Sequence, residues 1–426
     1  MLEIQLIQPE KSPGYTNNSR TGCYVPLGLL SIATYTKQQL PDTNIEVLDG
    51  ELITNKEIIE QLKPNAVIGI DTKTPNYASA VEIARVAKEM GSKVVFGGVY
   101  ASAIPEKIDL YRQDIVNHVV VGFGERPFVD IIKGRDDRVI HNSEPNFDEL
   151  PIPDRSFIDF ERYIQNFQQN HKTWDYRGTN IFTHMGCKYK CLFCSRSGPK
   201  GVRYKTPQMV WQEVRTLVEH HGIEYLVDFS DTITQDMTAF RSLVDSKPDD
   251  LNPIFHIFST AEGINHESIE LFKRLNVKHV FVGAETGDYR LASKISKGAS
   301  FSPERTLEAI TFLSDAQIGI TPSFVLGLPD ESEDSLDTTY NFAKRIKEIS
   351  DFEEIFCSAL IPFPGSRAFD ILMEKIGNPE TDLFDPEELK QEWIKLVCNT
   401  DYETINVYVD KILDLGEYAI TIRKNS

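Results

Sequence analysis

Apolar stretches alternate with segments of helical periodicity along the first third of the chain. The apolar stretches predict five strands, and the segments between them carry apolar residues at the spacing of amphipathic helices. A strand–helix order of this kind predicts an α/β fold with a parallel, doubly wound sheet. The predicted strands lie in EIQLIQP, NIEVLDG, NAVIGID, KVVFGGVYAS and IVNHVVVG.

Ligands of doubly wound sheets bind beyond the carboxyl ends of the strands. Several of the ends predicted here contain glycine. The Gly97-Gly98 pair is compatible with close approach of the backbone to a bulky ligand and equally with a close turn, and GFGE on its own indicates only a tight turn before a helix. The loop after the first strand is compatible both with a mobile surface loop and with a cover over that ligand. These strand ends are the Pro9–Cys23 loop, Asp49–Glu51, Asp71–Pro75, Gly97–Ser102 and Gly122–Glu125.

The rest of the chain predicts a second α/β series behind a linker. A proline-rich segment without clear periodicity, EPNFDELPIPDRSFIDF, indicates the linker. Six further strands alternate with helices and predict a partial (β/α)6 barrel, with its site at the C-terminal strand ends. The last part is acidic and predicts a small, mainly helical region. We expect a doubly wound domain at 1–140, a linker at 141–175, the partial barrel at 176–366 and the helical region at 367–426.

The amino-acid composition indicates which class of molecule the protein binds. The chain has 45 basic and 64 acidic residues, a net charge of −19. That charge opposes a phosphate backbone, so we expect a small-molecule substrate rather than nucleic acid. No apolar run has the length of about 18 residues that a membrane span needs. The start, MLEIQLIQPEKS, lacks the basic and apolar regions of a signal peptide, so we expect a cytoplasmic protein without a membrane partner.

Three of the six cysteines lie within eight residues, in the segment HMGCKYKCLFCSR. Cys187, Cys191 and Cys194 are spaced C-x3-C-x2-C and follow directly on a predicted strand, where barrel active sites form. The other three cysteines are scattered and predict small buried apolar residues. Six cysteines in 426 residues are not a disulfide framework.

Three thiolates leave a metal site one ligand short. Structural zinc takes four ligands, and cubane clusters that only transfer electrons take four cysteines. A cubane on three thiolates keeps one iron open, and an open iron can bind a substrate. The zinc alternative lacks the usual paired C-x2-C elements. Its fourth ligand would come from His171, His184, His220 or His221.

The triplet, with Phe193 before its third cysteine, resembles the signature of radical S-adenosylmethionine (radical SAM) enzymes. Later segments resemble the same family across about residues 178–366. In DFSDTIT, Ser230 and Asp231 stand where the family has two acids. The remaining matching segments are RYKTPQMVWQEV, GAETGD, KISKG, LGLPDES and PFPGS.

The resemblance implies that Cys187, Cys191 and Cys194 bind a 4Fe–4S cluster whose open iron chelates S-adenosylmethionine. An electron, supplied by a partner such as flavodoxin or ferredoxin, would then release a 5′-deoxyadenosyl radical. The implied contacts to S-adenosylmethionine are Phe193 and Ser195 at the adenine, Ser230 and Asp231 at the methionine end, and Ser259 and Glu285 at the ribose or methionine end.

The residues themselves leave alternatives for three of these contacts. Asp231 and Ser259 also suit helix capping after a strand. Glu285 also suits a buried ion pair with a lysine or arginine of the barrel.

A doubly wound domain before a radical SAM barrel resembles the cobalamin-binding subfamily, through PLGLLSIATY, VLDGE, GIDTKTPN, FGGVYASAIPE and VVVGFGERPF. Asp49 is followed by Gly50, Glu51 and Leu52, so the D-x-H-x-x-G loop of methionine synthase is absent. Many subfamily members lack this histidine, and some keep the domain without using cobalamin. The implied cobalamin contacts are Asp49, Gly50, Thr72, Thr74, Gly97, Gly98, Gly122, Gly124 and Glu125.

The resemblance implies hydrogen abstraction from a small-molecule substrate and favours cobalamin-dependent C-methylation. The alternative outcome is radical dehydration, rearrangement or epimerisation, for example of an aminosugar or amino acid, with cobalamin unused. Cys357 is the candidate hydrogen donor for that outcome, although a core cysteine is the competing interpretation. A tRNA-modifying relative would carry further N-terminal cysteines and a basic C-terminal domain. A sensor would need a reporter element, and no helix-turn-helix or membrane segment is evident.

Overall fold

The computed structural model describes residues 2–12, 21–142, 147–170, 175–195, 201–295 and 301–420. The strands in these ranges are β1 Leu2–Gln8, β2 Thr43–Asp49, β3 Val67–Asp71, β4 Lys93–Gly97, β5 His118–Gly122, β6 Val139–Asn142, β7 Gly178–Ile181, β8 His184–Met185, β9 Arg203–Tyr204, β10 Tyr225–Asp228, β11 Ile254–Thr260, β12 Val277–Glu285, β13 Gly319–Leu326, β14 Glu354–Ala359 and β15 Tyr418–Ile420. The α-helices are α1 Leu27–Gln39, α2 Asn55–Glu60, α3 Tyr77–Glu89, α4 Gly98–Ala103, α5 Pro105–Arg112, α6 Glu125–Ile132, α7 Phe160–Asn170, α8 Pro207–His221, α9 Met237–Asp245, α10 His266–Leu275, α11 Tyr289–Ile295, α12 Pro303–Asp315, α13 Glu333–Ile349, α14 Arg367–Ile376, α15 Pro386–Val397 and α16 Tyr402–Leu413.

Strands β1 to β6 form one parallel sheet, sheet A, in the order β2-β1-β3-β4-β5-β6. This confirms the predicted doubly wound sheet and its five strands. Strand β6 was not predicted. The prediction for β4 was too long, because the strand ends at Gly97 and helix α4 begins at Gly98. Gly98 has φ 90°, a backbone conformation that favours glycine and turns the chain out of the strand.

Seven strands form a second parallel sheet, sheet B, in the order β15-β14-β13-β12-β11-β10-β7. Helices alternate with its strands and the sheet curls into a half-barrel, which confirms the partial barrel and its six predicted strands. The seventh strand, β15, comes from the C-terminal region and pairs with β14. That region is otherwise helical, as predicted.

The two faces of sheet B differ because successive residues of a strand point to opposite sides. Leu226, Ile257, Val280 and Phe324 have no exposed surface and belong to the large hydrophobic core. The alternate positions point to the concave side of the half-barrel. The hydrophobic face of each strand therefore fixes which residues line the interior.

The segment predicted as a linker contains a regular helix, α7. Its apolar side, Phe160, Tyr163, Ile164 and Phe167, is buried. The Tyr163 hydroxyl donates a hydrogen bond to Asp49 at the end of β2. The Phe167 ring lies 5.8 Å from that of Tyr225 in β10, centroid to centroid. Helix α7 therefore joins the two sheets.

The C-terminal region is anchored on the N-terminal domain through Asp382, whose side chain is nearly fully buried. Arg112 donates to its two carboxylate oxygens at 2.7 Å each, and the Tyr77 hydroxyl donates at 2.5 Å. The Tyr100 hydroxyl donates to its backbone carbonyl at 2.6 Å. Among the helices described, none is long and apolar enough to cross a membrane.

Candidate active site

The three clustered cysteines lie in a loop between the short antiparallel strands β8 and β9. We call residues 186–195 the cysteine loop. Cys187, Cys191 and Cys194 are partly exposed, whereas Leu192 between them is buried. The loop leaves β8 through Gly186, which has φ 88°. The buried side chain of Leu192 anchors the loop and so holds the three thiols in fixed positions.

Polar bonds tie the cysteine loop to the segments after β10 and β11. The Gln235 side chain accepts from the Lys188 amide at 2.9 Å and donates to the Gly186 carbonyl at 3.0 Å. The Tyr189 hydroxyl donates to Glu262 at 3.0 Å. These bonds hold the stretch around the first cysteine from both sides.

Further bonds tie the cysteine loop to the segments after β12 and β14. The Leu192 amide donates to the Ile295 carbonyl at 2.9 Å, and the Ala368 amide donates to the Leu192 carbonyl at 3.0 Å. The Ser195 hydroxyl donates to the Pro364 carbonyl at 2.7 Å. Because all these partners follow sheet B strands, the cysteine loop lies across the carboxyl ends of the half-barrel.

The donor set of the loop fits an iron–sulfur cubane better than a single zinc ion. Thiolates are the usual ligands of iron–sulfur clusters, and each thiolate of a cubane binds a different iron. The part of the chain that the structure describes has no group of three or more His, Cys, Asp or Glu side chains placed to hold one ion.

Among the described residues, the histidines considered for zinc do not complete a metal site with the cysteines. His184 is buried at the base of the hairpin, where burial lowers its pKa. His220 and His221 end helix α8, at the opposite end of the half-barrel from the cysteines. His171 lies outside the described residues.

Ser230 braces the strand that leads into the cysteine loop. Its hydroxyl donates to Asp228 at 2.6 Å and lies 2.9 Å and 3.0 Å from the amides of Thr183 and His184, which donate to it. Asp231, next along the chain, is exposed. The structure therefore brings both residues beside the loop, with the Ser230 hydroxyl already bonded within the protein.

The other expected contacts to S-adenosylmethionine also lie at strand ends. The hydroxyls of Ser259 and Thr234 are 2.7 Å apart and buried. Glu285 ends β12, is buried and has φ 57°, a strained conformation for a residue other than glycine. Strain of this kind at a buried acid such as Glu285 indicates a functional position. Phe193 is partly exposed and packs against the large core.

The structure does not support Cys357 as a hydrogen donor to a substrate inside the half-barrel. Phe356 points inward and meets Phe281, so the next residue, Cys357, points outward. Cys357 has no exposed surface, and burial raises its pKa well above the ordinary value. It is therefore a core cysteine, the competing interpretation of the sequence.

Asp49 and Gly50 are engaged inside the protein at the end of β2. The Asp49 carboxylate accepts from the side chain of Gln8 at 2.8 Å, from the Glu51 amide at 2.9 Å and from Tyr163. Burial raises its pKa. A side chain at Gly50 would collide with the backbone of Glu10. These two residues therefore shape the edge of sheet A rather than face open space.

The end of β4 is open by contrast. Apart from its two chain neighbours, no atom of the described residues lies within 4 Å of the position that a side chain at Gly97 would take, and Val99 is half exposed. Thr72 is buried, donates to the Gly97 carbonyl at 2.7 Å and accepts from the Ala101 amide at 3.0 Å. Thr74, partly exposed, begins a short 3-10 helix. This end of sheet A offers an apolar ledge to a ligand.

A cleft separates the end of β5 from the base of the cysteine hairpin. It encloses about 610 Å³ of empty space, part of it open to solvent, and its lining is mostly apolar. Glu125 lines it, accepts from the Ser31 hydroxyl at 2.6 Å, and has its pKa raised by burial. Gly122 and Gly124 lie beside Glu125 in the same turn. The cleft therefore presents a mostly apolar wall, with the carboxyl group of Glu125 in it, to a ligand.

Comparison with known proteins shows what this chain is similar to. Residues 181–343 match the model of the radical SAM superfamily. An uncharacterized methyltransferase of Pyrococcus horikoshii, PH0819, is 24% identical over 81% of this chain and 78% of its own length. The bacteriochlorophyllide d C-12(1)-methyltransferase of Chlorobaculum tepidum is 23% identical over 89% and 80%.

A solved structure has the same fold over most of the chain. It is the radical S-adenosylmethionine methyltransferase TsrM of Kitasatospora setae with cobalamin and a [4Fe-4S] cluster bound. It is 17% identical, has a TM-score of 0.70, and the match covers 88% of this chain and 78% of that one. The match covers both sheets and confirms the fold predicted from the sequence.

Proposed function

We propose that this chain, a radical SAM enzyme, methylates a carbon atom of a small-molecule substrate with the help of cobalamin. The observation that carries the proposal is the cysteine loop, which is bonded across the carboxyl ends of sheet B and stands opposite the cleft at sheet A. The methyltransferase names of the two relatives and the cobalamin in the TsrM structure support the same conclusion.

Cys187, Cys191 and Cys194 are proposed to hold the 4Fe–4S cluster, with S-adenosylmethionine on its open iron. Once bound, the cluster would supply the electron that cleaves S-adenosylmethionine. The protein's own part is to fix the loop: Gln235 holds the stretch before the second cysteine, and Ser195 holds the stretch after the third. An external electron donor, such as flavodoxin or ferredoxin, belongs to the proposal.

The contacts to S-adenosylmethionine are proposed as the sequence suggests them. The candidates are Phe193, Ser195, Ser230, Asp231, Ser259 and Glu285. Ser230 would act mainly by positioning, because its hydroxyl already bonds the strand that leads into the loop. Asp231 and Glu285 are the acids of the set, and both suit the ammonium group of a methionine moiety.

Cobalamin is proposed to lie between the two sheets, where it would serve as the methyl carrier. The open position at Gly97, with Thr72 and Thr74 beside it, and the cleft that Glu125 lines provide room for it. Gly98, Gly122 and Gly124 are proposed as neighbouring contacts. Burial raises the pKa of Glu125 and so favours its protonated form, which can donate a hydrogen bond to an amide of the cofactor. Asp49 and Gly50 would contribute by shaping the adjoining edge.

The proposal is tested by following the methyl group. The protein is purified anaerobically, reconstituted with iron and sulfide, loaded with hydroxocobalamin, and given S-adenosylmethionine with a CD3 methyl group and titanium citrate. We expect 5′-deoxyadenosine together with CD3 label on the protein-bound cobalamin. Release of 5′-deoxyadenosine without label on the corrin would reject methyl transfer and favour radical dehydration, rearrangement or epimerisation.

A further inference from the structure

A row of aromatic rings lines the concave face of sheet B. We call Tyr24, Phe229, Phe258, Phe281 and Phe356 the aromatic row. Neighbouring ring centroids in this order lie 4.7, 5.8, 5.0 and 6.1 Å apart. The rings come from the loop after β1, the end of β10, and strands β11, β12 and β14, and each is partly exposed.

The rings are not part of the packing that covers the outer face. Ile257, beside Phe258, has no exposed surface and sits in the large core. Phe281 and Phe356 belong to neither of the two hydrophobic clusters that the described residues form, whereas Tyr24, Phe229 and Phe258 pack with one side against the smaller cluster at β10. Partly exposed rings that converge on a concave surface are characteristic of a binding pocket rather than of a core.

The aromatic row lies just beneath the site of the cysteine loop. Phe229 directly precedes Ser230, which bonds the base of the cysteine hairpin. Phe258 directly precedes Ser259, and Phe281 lies on the same strand as Glu285. A molecule resting on these rings would therefore be adjacent to the place where the radical is proposed to form.

The interior carries acidic and neutral groups below the rings. Within the described residues, the inward positions of β10 to β14 include no lysine or arginine. His279 precedes Phe281 by one inward position, and its Nε2 lies 2.7 Å from the hydroxyl of Thr321, the residue paired with Phe281 in the sheet; Thr321 in turn donates to Glu354 at 3.2 Å. A carboxylate or phosphate on the substrate would find no lysine or arginine at these positions, whereas ring faces attract cations.

We propose that the aromatic row is the substrate subsite and that it takes a planar, conjugated ring system that is neutral or positively charged. The assignment rests on the proposed function, because it identifies the bound molecule with the substrate. It favours such a ring over an aminosugar, whose puckered ring makes less face-to-face contact with aromatic side chains. Phe281, at the centre of the sheet, is the specificity-determining residue of the subsite.

Binding is tested with three defined probes and the full chain. 9-Aminoacridine is a planar cation, 9-anthracenecarboxylate is a planar anion of similar size, and glucosamine is a cation without a planar face. Fluorescence anisotropy titrations give the Kd of the two fluorescent probes, and glucosamine is used as a competitor. We expect 9-aminoacridine to bind about tenfold more tightly than the anion, and glucosamine not to displace it.

The variant Phe281→Leu tests the row itself. It should weaken 9-aminoacridine binding by about two- to tenfold, the range expected for loss of one aromatic contact. The control Tyr289→Leu removes a ring that is 58% exposed on helix α11 and should leave binding unchanged. Iron content after reconstitution should be the same in both variants, which shows that the fold is retained.

Two results would overturn the subsite: equal or tighter binding of 9-anthracenecarboxylate, or unchanged 9-aminoacridine binding in Phe281→Leu. The proposed function is judged separately, by 5′-deoxyadenosine and by CD3 transfer to the corrin. A protein that binds 9-aminoacridine through Phe281 but releases no 5′-deoxyadenosine would contradict the proposed function while supporting the ring-binding subsite.

Discussion

Glu213→Gln is expected to destabilise the protein by removing the anion of a buried ion cluster. The Glu213 carboxylate, on helix α8, accepts from Arg155 at 2.8 Å and from Lys205 at 2.9 Å. The side chains of Glu213 and Arg155 are almost completely buried. Arg155 also reaches the carbonyl of Asn180 in β7, at 3.3 Å. The cluster therefore joins the segment between the two sheets to the strand that precedes the cysteine loop.

The expected loss in the free energy of unfolding follows from the pKa of Glu213. Burial raises this pKa, but the charges of Lys205 and Arg155 more than offset the effect and lower it from 4.5 to about 2. At about 1.4 kcal/mol per pH unit, the lowering corresponds to about 3 kcal/mol of stability. Removing one partner of a buried ion pair costs about 3–5 kcal/mol, which agrees. Because the folded pKa is depressed, this stability is present above about pH 4.5 and is lost as the pH falls towards 2.

Urea unfolding followed by far-UV circular dichroism measures both effects. At pH 7 the free energy of unfolding should fall by about 3 kcal/mol in Glu213→Gln. The control Glu219→Gln, on the exposed side of the same helix, should change it by less than about 0.5 kcal/mol. Between pH 5 and 3 the wild type should lose stability faster than Glu213→Gln. A loss below about 1 kcal/mol at pH 7, or identical pH profiles, would refute the reasoning.

Three further predictions concern the cysteine loop, the C-terminal region and the core cysteine. Gln235→Leu should lower the iron bound after reconstitution and alter the cluster's electron paramagnetic resonance signal, because it removes two bonds to the loop, whereas Gln212→Leu on the surface of α8 should change neither. Asp382→Asn should lower the free energy of unfolding by about 2 kcal/mol, because partly exposed Arg112 loses its anion; an unchanged urea midpoint would contradict this. Cys357→Ala should lower the free energy of unfolding by about 1 kcal/mol, since the side chain is packed in the core and points away from the half-barrel interior, and an unchanged urea midpoint would contradict its assignment as a core residue.

Much of the fold could be predicted because strands of parallel sheets are buried on both faces and appear as continuous apolar runs. Helix α7 was missed because a proline-rich segment precedes it, although Phe160, Tyr163 and Phe167 recur at helical spacing and could have revealed it. Strand β15 has three residues, and its existence depends on pairing with β14. Nothing local in the sequence specifies such a pairing.

The candidate site was predictable only where its signal is local. The cysteine triplet lies within eight residues, so its spacing alone identified it. Gln235 and Glu262, which hold the loop, come from other strand ends, and only the folded chain brings them there. For Asp49 the sequence was misleading. Its position at a strand end suggested a ligand contact, but the hydroxyl of Tyr163, in the helix that was not predicted, donates a hydrogen bond to its carboxylate.

The most direct test of the account is the release of 5′-deoxyadenosine from S-adenosylmethionine by the reconstituted protein under titanium citrate. The account predicts release by the wild type, none by Cys191→Ala, and wild-type release by Cys398→Ala, which changes a cysteine outside the cysteine loop. Equal release by Cys191→Ala, or none by a wild type that carries its full iron, would contradict the assignment of the cysteine loop as the site of radical formation.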